Sequence, residues 1–200
     1  MERSKAVKQL LKIKTYISKR RLAADGWNEK WQMLIAILLS ARTLDKTTIK
    51  VCEKLFKKFP SPENLSKATF KEIQKIIKPV NFYKNKSKYI KECCKQLKHY
   101  NYVPPLDLQK LIQLKGVGRK TANVYLSENG VPAIGVDTHV LRISNKLNWT
   151  NKKNPDKIES DLKKLFPKSK WNCINYVLVN FGQSFKKEED LILDKIKKIK

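Results

Sequence analysis

The sequence predicts an all-α protein. Three observations carry that reading. Apolar residues recur at helical spacing along most of the 200 residues. No stretch alternates apolar and polar residues as a half-buried strand would. The breaks between apolar stretches fall at cap-forming residues, proline or glycine.

Taken in order, Leu10, Leu11, Ile13, Ile17 and Leu22 outline a first amphipathic helix. Residues 31–41 are nearly all apolar, the pattern of a buried central helix. Asp45 is placed to cap the next helix, with Ile49, Cys52, Leu55, Phe56 and Phe59 on its inner side. Thr69 followed by Glu72 is a capping box for a short helix that Pro79 ends. A helix over 83–99 is closed by Asn101 and Pro104-Pro105. Helices over 107–114 and 119–128 flank a tight glycine turn, and Asn129-Gly130 stops the second. Beyond Pro132 the spacing predicts helices over 138–147, 155–166 and 171–181, the middle one with Asn154 as cap and Pro155 at its first position. The tail, 186–200, forms a last amphipathic helix through Leu191, Ile192, Ile196 and Ile199.

A hydrophobic fraction of 41% is enough for a real core, in one domain or two small ones. The charge is lopsided: 44 Lys and Arg against 18 Asp and Glu leave +26. That makes polyanions the default partner, although a lysine-rich bias on solvated helix faces yields the same sum. The first residues carry repeated charges rather than the apolar stretch of a signal peptide. The longest apolar run, 33–39, is too short to span a bilayer. Cys52, Cys93, Cys94 and Cys173 form no CxxC pair, the usage of thiols buried as small hydrophobes in a reducing compartment. A soluble, intracellular protein without membrane contact is expected.

The most informative stretch runs Leu114-Lys115-Gly116-Val117-Gly118-Arg119-Lys120-Thr121-Ala122. Two glycines bracket one apolar residue between two helices. Glycine tolerates positive φ and leaves amides uncovered. Val117 anchors such a turn in the core while neighbouring amides, at the start of the next helix, face a phosphate. Lys115, Arg119 and Lys120 add counter-charge, in a grip that positions DNA without reading its sequence. An ordinary helical hairpin with a glycine C-cap has the same two glycines. Lys120 lies in the first turn of the following helix, where the positive helix end and Arg119 favour loss of its proton. A neutral amine there is a nucleophile able to form a Schiff base, though a lysine at this place also serves as a phosphate contact. Asp137, in Val136-Asp137-Thr138-His139-Val140, precedes a helix and reads as its N-cap. Capping amides would also hold its carboxylate ionised and aimed, ready to face positive charge. His139 reads as structural or as a phosphate contact.

With these motifs in place, the chain resembles the endonuclease III family of DNA glycosylases. The resemblance rests on Leu38-Leu39-Ser40-Ala41-Arg42-Thr43-Leu44-Asp45, on Phe82-Tyr83-Lys84-Asn85-Lys86, on the glycine hairpin through Val124, and on Val136-Asp137-Thr138-His139-Val140-Leu141-Arg142. It runs from about Leu10 through Gln183. It implies a two-lobed helix-hairpin-helix fold with DNA between the lobes: a six-helix lobe over 24–133, and a second lobe joining 1–23 to 134–200. It also implies that Lys120 is the catalytic lysine and Asp137 the catalytic aspartate of a bifunctional glycosylase and AP lyase.

On the same resemblance, the partner is duplex DNA carrying a damaged base, expected to be an oxidised pyrimidine, or an abasic site. Arg42 stands where many members have the glutamine that fills the space left by the flipped base, as archaeal-type relatives also suggest. Phe82 stands at the apolar wedge, and plain core is the alternative for it. Lys115, Gly116, Val117, Gly118, Arg119 and His139 complete the expected DNA contacts. A monomer acting at the nucleoid in the cytoplasm is expected. Two other readings stay open: a related enzyme for mismatched thymine or abasic sites only, and a non-catalytic DNA-binding module.

The family usually ends in four cysteines that hold a [4Fe–4S] cluster. Here no cysteine follows Cys173, and the first ligand position falls in Gln183-Ser184-Phe185. The cluster is therefore expected to be absent, with no metal site. The tail is expected to close its lobe instead, with Leu191, Leu193 and Ile196 inward.

Overall fold

The computed structural model describes residues 1–199, and among these the regular structure is helical throughout, with no strand. The α-helices are α1 (Arg3–Tyr16), α2 (Lys30–Ser40), α3 (Asp45–Lys58), α4 (Pro62–Lys67), α5 (Phe70–Ile77) and α6 (Tyr83–Leu97). They continue with α7 (Leu108–Ile112), α8 (Arg119–Glu128), α9 (Thr138–Lys146), α10 (Pro155–Leu165), α11 (Trp171–Ser184) and α12 (Glu189–Lys197). The chain divides into two compact units, one of Arg21–Tyr125 and one of Met1–Arg20 with the residues from Leu126 onward. The boundaries expected from the sequence were 23/24 and 133/134; those of the structure are 20/21 and 125/126, the second of them inside α8.

In the unit Arg21–Tyr125, α2 is the central helix, and its side chains from Leu34 to Leu39 are all buried. Helix α6 packs on α2, α4 and α5, through Ile90, Cys93, Cys94 and Leu97. The capping box is present: Thr69 Oγ1 accepts from Glu72 N, and Glu72 answers with Oε2 on Thr69 N at 2.9 Å. Asp107 caps α7 through Lys110 N. Asn101 takes the left-handed φ of 50° that ends the turn after α6.

One expectation needs correction in this unit. Asp45 is the first residue of α3, not its cap, and its Oδ1 accepts instead from Ala23 N at 3.1 Å. Helix α5 stops at Ile77, just ahead of Pro79, as expected of a helix that this proline ends. The short α4, capped by Ser61 with Pro62 at its first position, was not foreseen.

The other unit collects α1 and α9–α12 around Leu10, Ile13, Val140, Ile143, Leu147, Ile158, Leu162, Phe166, Val177, Leu178 and Phe181. Trp149 meets Phe166 edge-on at 4.8 Å. Buried Gln9 ties the parts together: its Oε1 accepts from Trp149 Nε1 at 2.7 Å and its Nε2 donates to Ile196 O at 3.3 Å. Helix α1 ends at Tyr16, so Leu22 is buried outside it, and Leu11 is exposed. On α12, Ile192, Leu193 and Ile196 face the core, but Leu191 is 61% exposed, contrary to the expectation that it would close this unit.

Helix α12 is also held by charge. Arg142 Nε and Nη2 donate to Glu189 Oε1 and Oε2 at 2.8 and 2.6 Å, a two-pronged pair. Lys146 Nζ adds a bond to Oε1 at 3.0 Å and a second one to Asp190. Burial opposes ionisation of Glu189, yet the bonds from Arg142 and Lys146 outweigh it and hold the carboxyl below its usual range.

Candidate functional site

The hairpin is built from α7, a turn and the start of α8. Val117 N donates to Leu114 O at 3.0 Å, and both side chains are buried, so the turn hangs from two apolar anchors. The two glycines differ. Gly116 has φ of 82°, and a Cβ placed on it would lie 2.6 Å from Tyr89 Cβ. Both its conformation and its neighbour require glycine. Gly118 has no positive φ, and a Cβ there meets nothing within 4 Å. Nothing among the described residues asks for glycine at that position.

Gly118 O accepts from Ala122 N at 2.9 Å, which starts α8. The amides of such a first turn have no helical acceptor and face outward. Lys115, Gly116, Gly118 and Arg119 are exposed, and Lys120 is half-buried in that first turn. The helix behind is anchored, for Thr121, Ala122 and Tyr125 are buried and Tyr125 Oη donates to Pro104 O at 3.1 Å.

Arg42 and Phe82, forty residues apart in sequence, come together. Both are exposed non-glycine residues in the left-handed region, with φ of 57° and 60°. The Arg42 guanidinium lies over the Phe82 ring, 5.6 Å from its centroid. At 57% exposure Phe82 is not part of the core, which removes that alternative. Asn81 joins the two loops: its Nδ2 donates to Arg42 O and its N to Thr43 Oγ1 at 3.2 Å.

Asp137 and His139 sit in the other unit. Asp137 is the N-cap of α9, as expected, and its Oδ1 accepts from both His139 N and Val140 N at 2.9 Å. Both bonds end on one oxygen, and the half-exposed carboxylate keeps Oδ2 for other work. His139 is half-buried against α11, where a Cβ on Gly182 would overlap its Nδ1. Arg142 Nη2 lies 3.2 Å from that nitrogen. Burial is the largest influence on the ring; Asp137 opposes it, Arg142 reinforces it, and the net effect lowers its pKa. A donor on Nδ1 leaves the proton of the neutral ring on Nε2.

Three residues of α6 escaped the sequence reading. Tyr89 backs Gly116. Gln96 accepts from Lys115 N at 2.6 Å and donates to Gln113 O at 3.5 Å, splinting the hairpin. Lys86 is 6% exposed and binds carbonyls near Arg42. Their spacing of three and seven residues sets them on one side of the helix. That periodicity was the available signal, but a polar stripe reads as solvated until its partners are known.

The description of HhH-GPD superfamily base excision DNA repair proteins matches residues 35–168. Endonuclease III of Thermotoga maritima is 39% identical over 164 residues, which span 81% of this chain and 77% of that protein. Endonuclease III of Bacillus subtilis is 37% identical over 156 residues, covering 76% and 71%. Among solved structures, an endonuclease III trapped in a covalent intermediate with DNA superposes with a TM-score of 0.86 at 32% identity, covering 94% of this chain and 89% of that one. A thermostable thymine-DNA glycosylase shares the fold, with a TM-score of 0.82 at 21% identity over 97% and 94%.

Proposed function

The chain belongs to the HhH-GPD superfamily of base excision DNA repair proteins, and on that footing we propose the roles of its residues. It is a DNA glycosylase with AP lyase activity acting on damaged duplex DNA. Lys120 is the nucleophile. Its place in the first turn of α8, two residues after a glycine whose open face none of the described residues occupies, is the observation that carries the assignment. The hairpin amides, with Lys115 and Arg119, hold a phosphate and set the sugar beside the amine.

The target base leaves the stack, with Phe82 as wedge and Arg42 in the vacated space. The Lys120 amine attacks C1′; the C1′–N bond breaks, and the base departs with the electron pair and takes up a proton. The amine loses its proton and the sugar ring opens to an iminium. Loss of a C2′ proton then expels the 3′ phosphate by β-elimination. Asp137, aimed by two backbone amides, faces the positive charge that develops at C1′. His139 touches DNA through Nε2, its Nδ1 being turned toward Arg142.

Oxidised pyrimidine is the proposed substrate. Arg42, in place of glutamine, favours a second reading with a different base preference, and a panel of lesion-bearing duplexes scored for base release separates the two. Borohydride should trap a covalent adduct on wild-type protein and none on Lys120→Ala. Full trapping by that variant would remove the assignment.

A [4Fe–4S] cluster does not fit the residues present. Cys52, Cys93 and Cys94 are buried in the unit Arg21–Tyr125, whereas Cys173 is on α11 of the other. No group of three or more metal-binding side chains occurs among the described residues. The absence of a cluster is accordingly part of the proposal, with Glu189 and the apolar face of α12 closing that unit. Iron and sulfide analysis after anaerobic purification tests it, and near-stoichiometric iron would overturn it. No described helix is long and apolar enough to cross a membrane; a monomer at the nucleoid completes the proposal.

A further inference from the structure

We infer that Lys86 is a positioning residue for base extrusion: through the carbonyls of Leu39 and Ala41 its buried ammonium sets the place of the Arg42–Phe82 pair, so that it acts on base release and not on the lyase step. The inference rests on the function proposed above.

A lysine is almost never buried without a carboxylate, and the cost of burying its charge demands compensation. Lys86 has no ion pair among the described residues. Its Nζ donates to Leu39 O at 2.8 Å and Ala41 O at 2.6 Å, and reaches Thr43 Oγ1 at 3.5 Å. Burial pulls its pKa down to about 8. All three oxygens belong to the end of α2 and the loop that follows, where helix carbonyls lack their usual donors.

The same residue is joined to Phe82, because Lys86 N donates to Phe82 O at 3.0 Å in the first bond of α6. Arg42 and Phe82 are both left-handed, a conformation that is strained for a residue with a side chain. Such a pair persists only where its surroundings over-determine it. Asn81 ties the loops at the surface, and Lys86 ties them underneath, by its amide to one and its ammonium to the other. Neither group reaches the Lys120 amine through any of these bonds.

A plain helix cap would merely stabilise the fold. A positioning residue also changes the ratio of two rates: base release from a duplex carrying an oxidised pyrimidine, and β-elimination on a single-stranded abasic oligonucleotide that has no stack to open. In Lys86→Met, base release should fall on the order of a hundredfold, the scale of an ångström-sized misplacement, while single-strand elimination changes little.

Adding Lys86→Met to Arg42→Ala/Phe82→Ala should lower base release by less than about twofold further, since residues in one pathway are not additive. If Lys86→Met does not fold, Lys86→Gln, which keeps one amide donor, should show the same change of ratio to a smaller extent. A folded variant with an unchanged ratio, or a full additional loss in the triple variant, would overturn the inference. Wild-type protein that performs neither reaction would instead overturn the proposed function.

Discussion

Two loops of the unit Arg21–Tyr125 present groups outward and hold them by opposite means. The hairpin offers its main chain, so side chains must be absent: Gly116 takes φ of 82° against Tyr89, and Gly118 stays bare. The Arg42–Phe82 pair offers side chains and so cannot use glycine, although both residues are left-handed. Its geometry is maintained from outside, by Asn81, Thr43 and Lys86. What a loop presents decides where its strain is relieved. The first loop relieves it by residue choice, and the second by hydrogen bonds from a neighbouring helix.

Substitutions can break this comparison. The largest effect should come from Gly116→Val, where a positive φ and an overpacked contact with Tyr89 add to about 3 kcal/mol. A melting curve should show it as a loss of on the order of 10 °C, and an unchanged curve would mean the turn does not depend on glycine there. Gly118→Ala should leave the melting temperature within the range of surface substitutions, about 0.5 kcal/mol. Its affinity for duplex DNA should nonetheless fall about tenfold, because a methyl would stand where a phosphate approaches; titration of binding at fixed salt checks this.

Arg42→Gly should be the mildest to the fold. Relief of about 1 kcal/mol of left-handed strain is offset by a similar gain of freedom in the unfolded chain. Base release should drop while the melting temperature holds, and a large destabilisation would show that the arginine side chain, not Lys86 and Asn81, holds its own loop.

The sequence made local devices readable. The Thr69–Glu72 box, the Asp137 and Asn154 caps and the hairpin register all involve residues within a few positions of each other. Errors arose where periodicity ran past an end. Leu22 continues the pattern of α1 but follows a helix that stops at Tyr16, and Leu191 satisfies the amphipathic spacing of α12 only approximately. Helix α4, with six residues, is too short to show a period at all. The positions of Arg42 and Phe82 were named, but their contact and the anchor beneath them were not. Lys86 meets oxygens 43 to 47 residues away, and in a chain with 44 basic residues nothing in sequence separates a buried lysine from a solvated one.

The Glu189 clamp gives the other unit a particular sensitivity. Its carboxyl is held below the usual range by Arg142 and Lys146, so its contribution is complete above the unfolded carboxylate pKa and is lost as pH falls through the folded value. The melting temperature of wild-type protein should therefore lose more on acidification below about pH 4 than that of Glu189→Gln, which has already given up the charge. Carboxylate, guanidinium and ammonium undergo no electron transfer. The seating of α12 thus answers to protons and salt, and not to the redox state of a thiol or a metal.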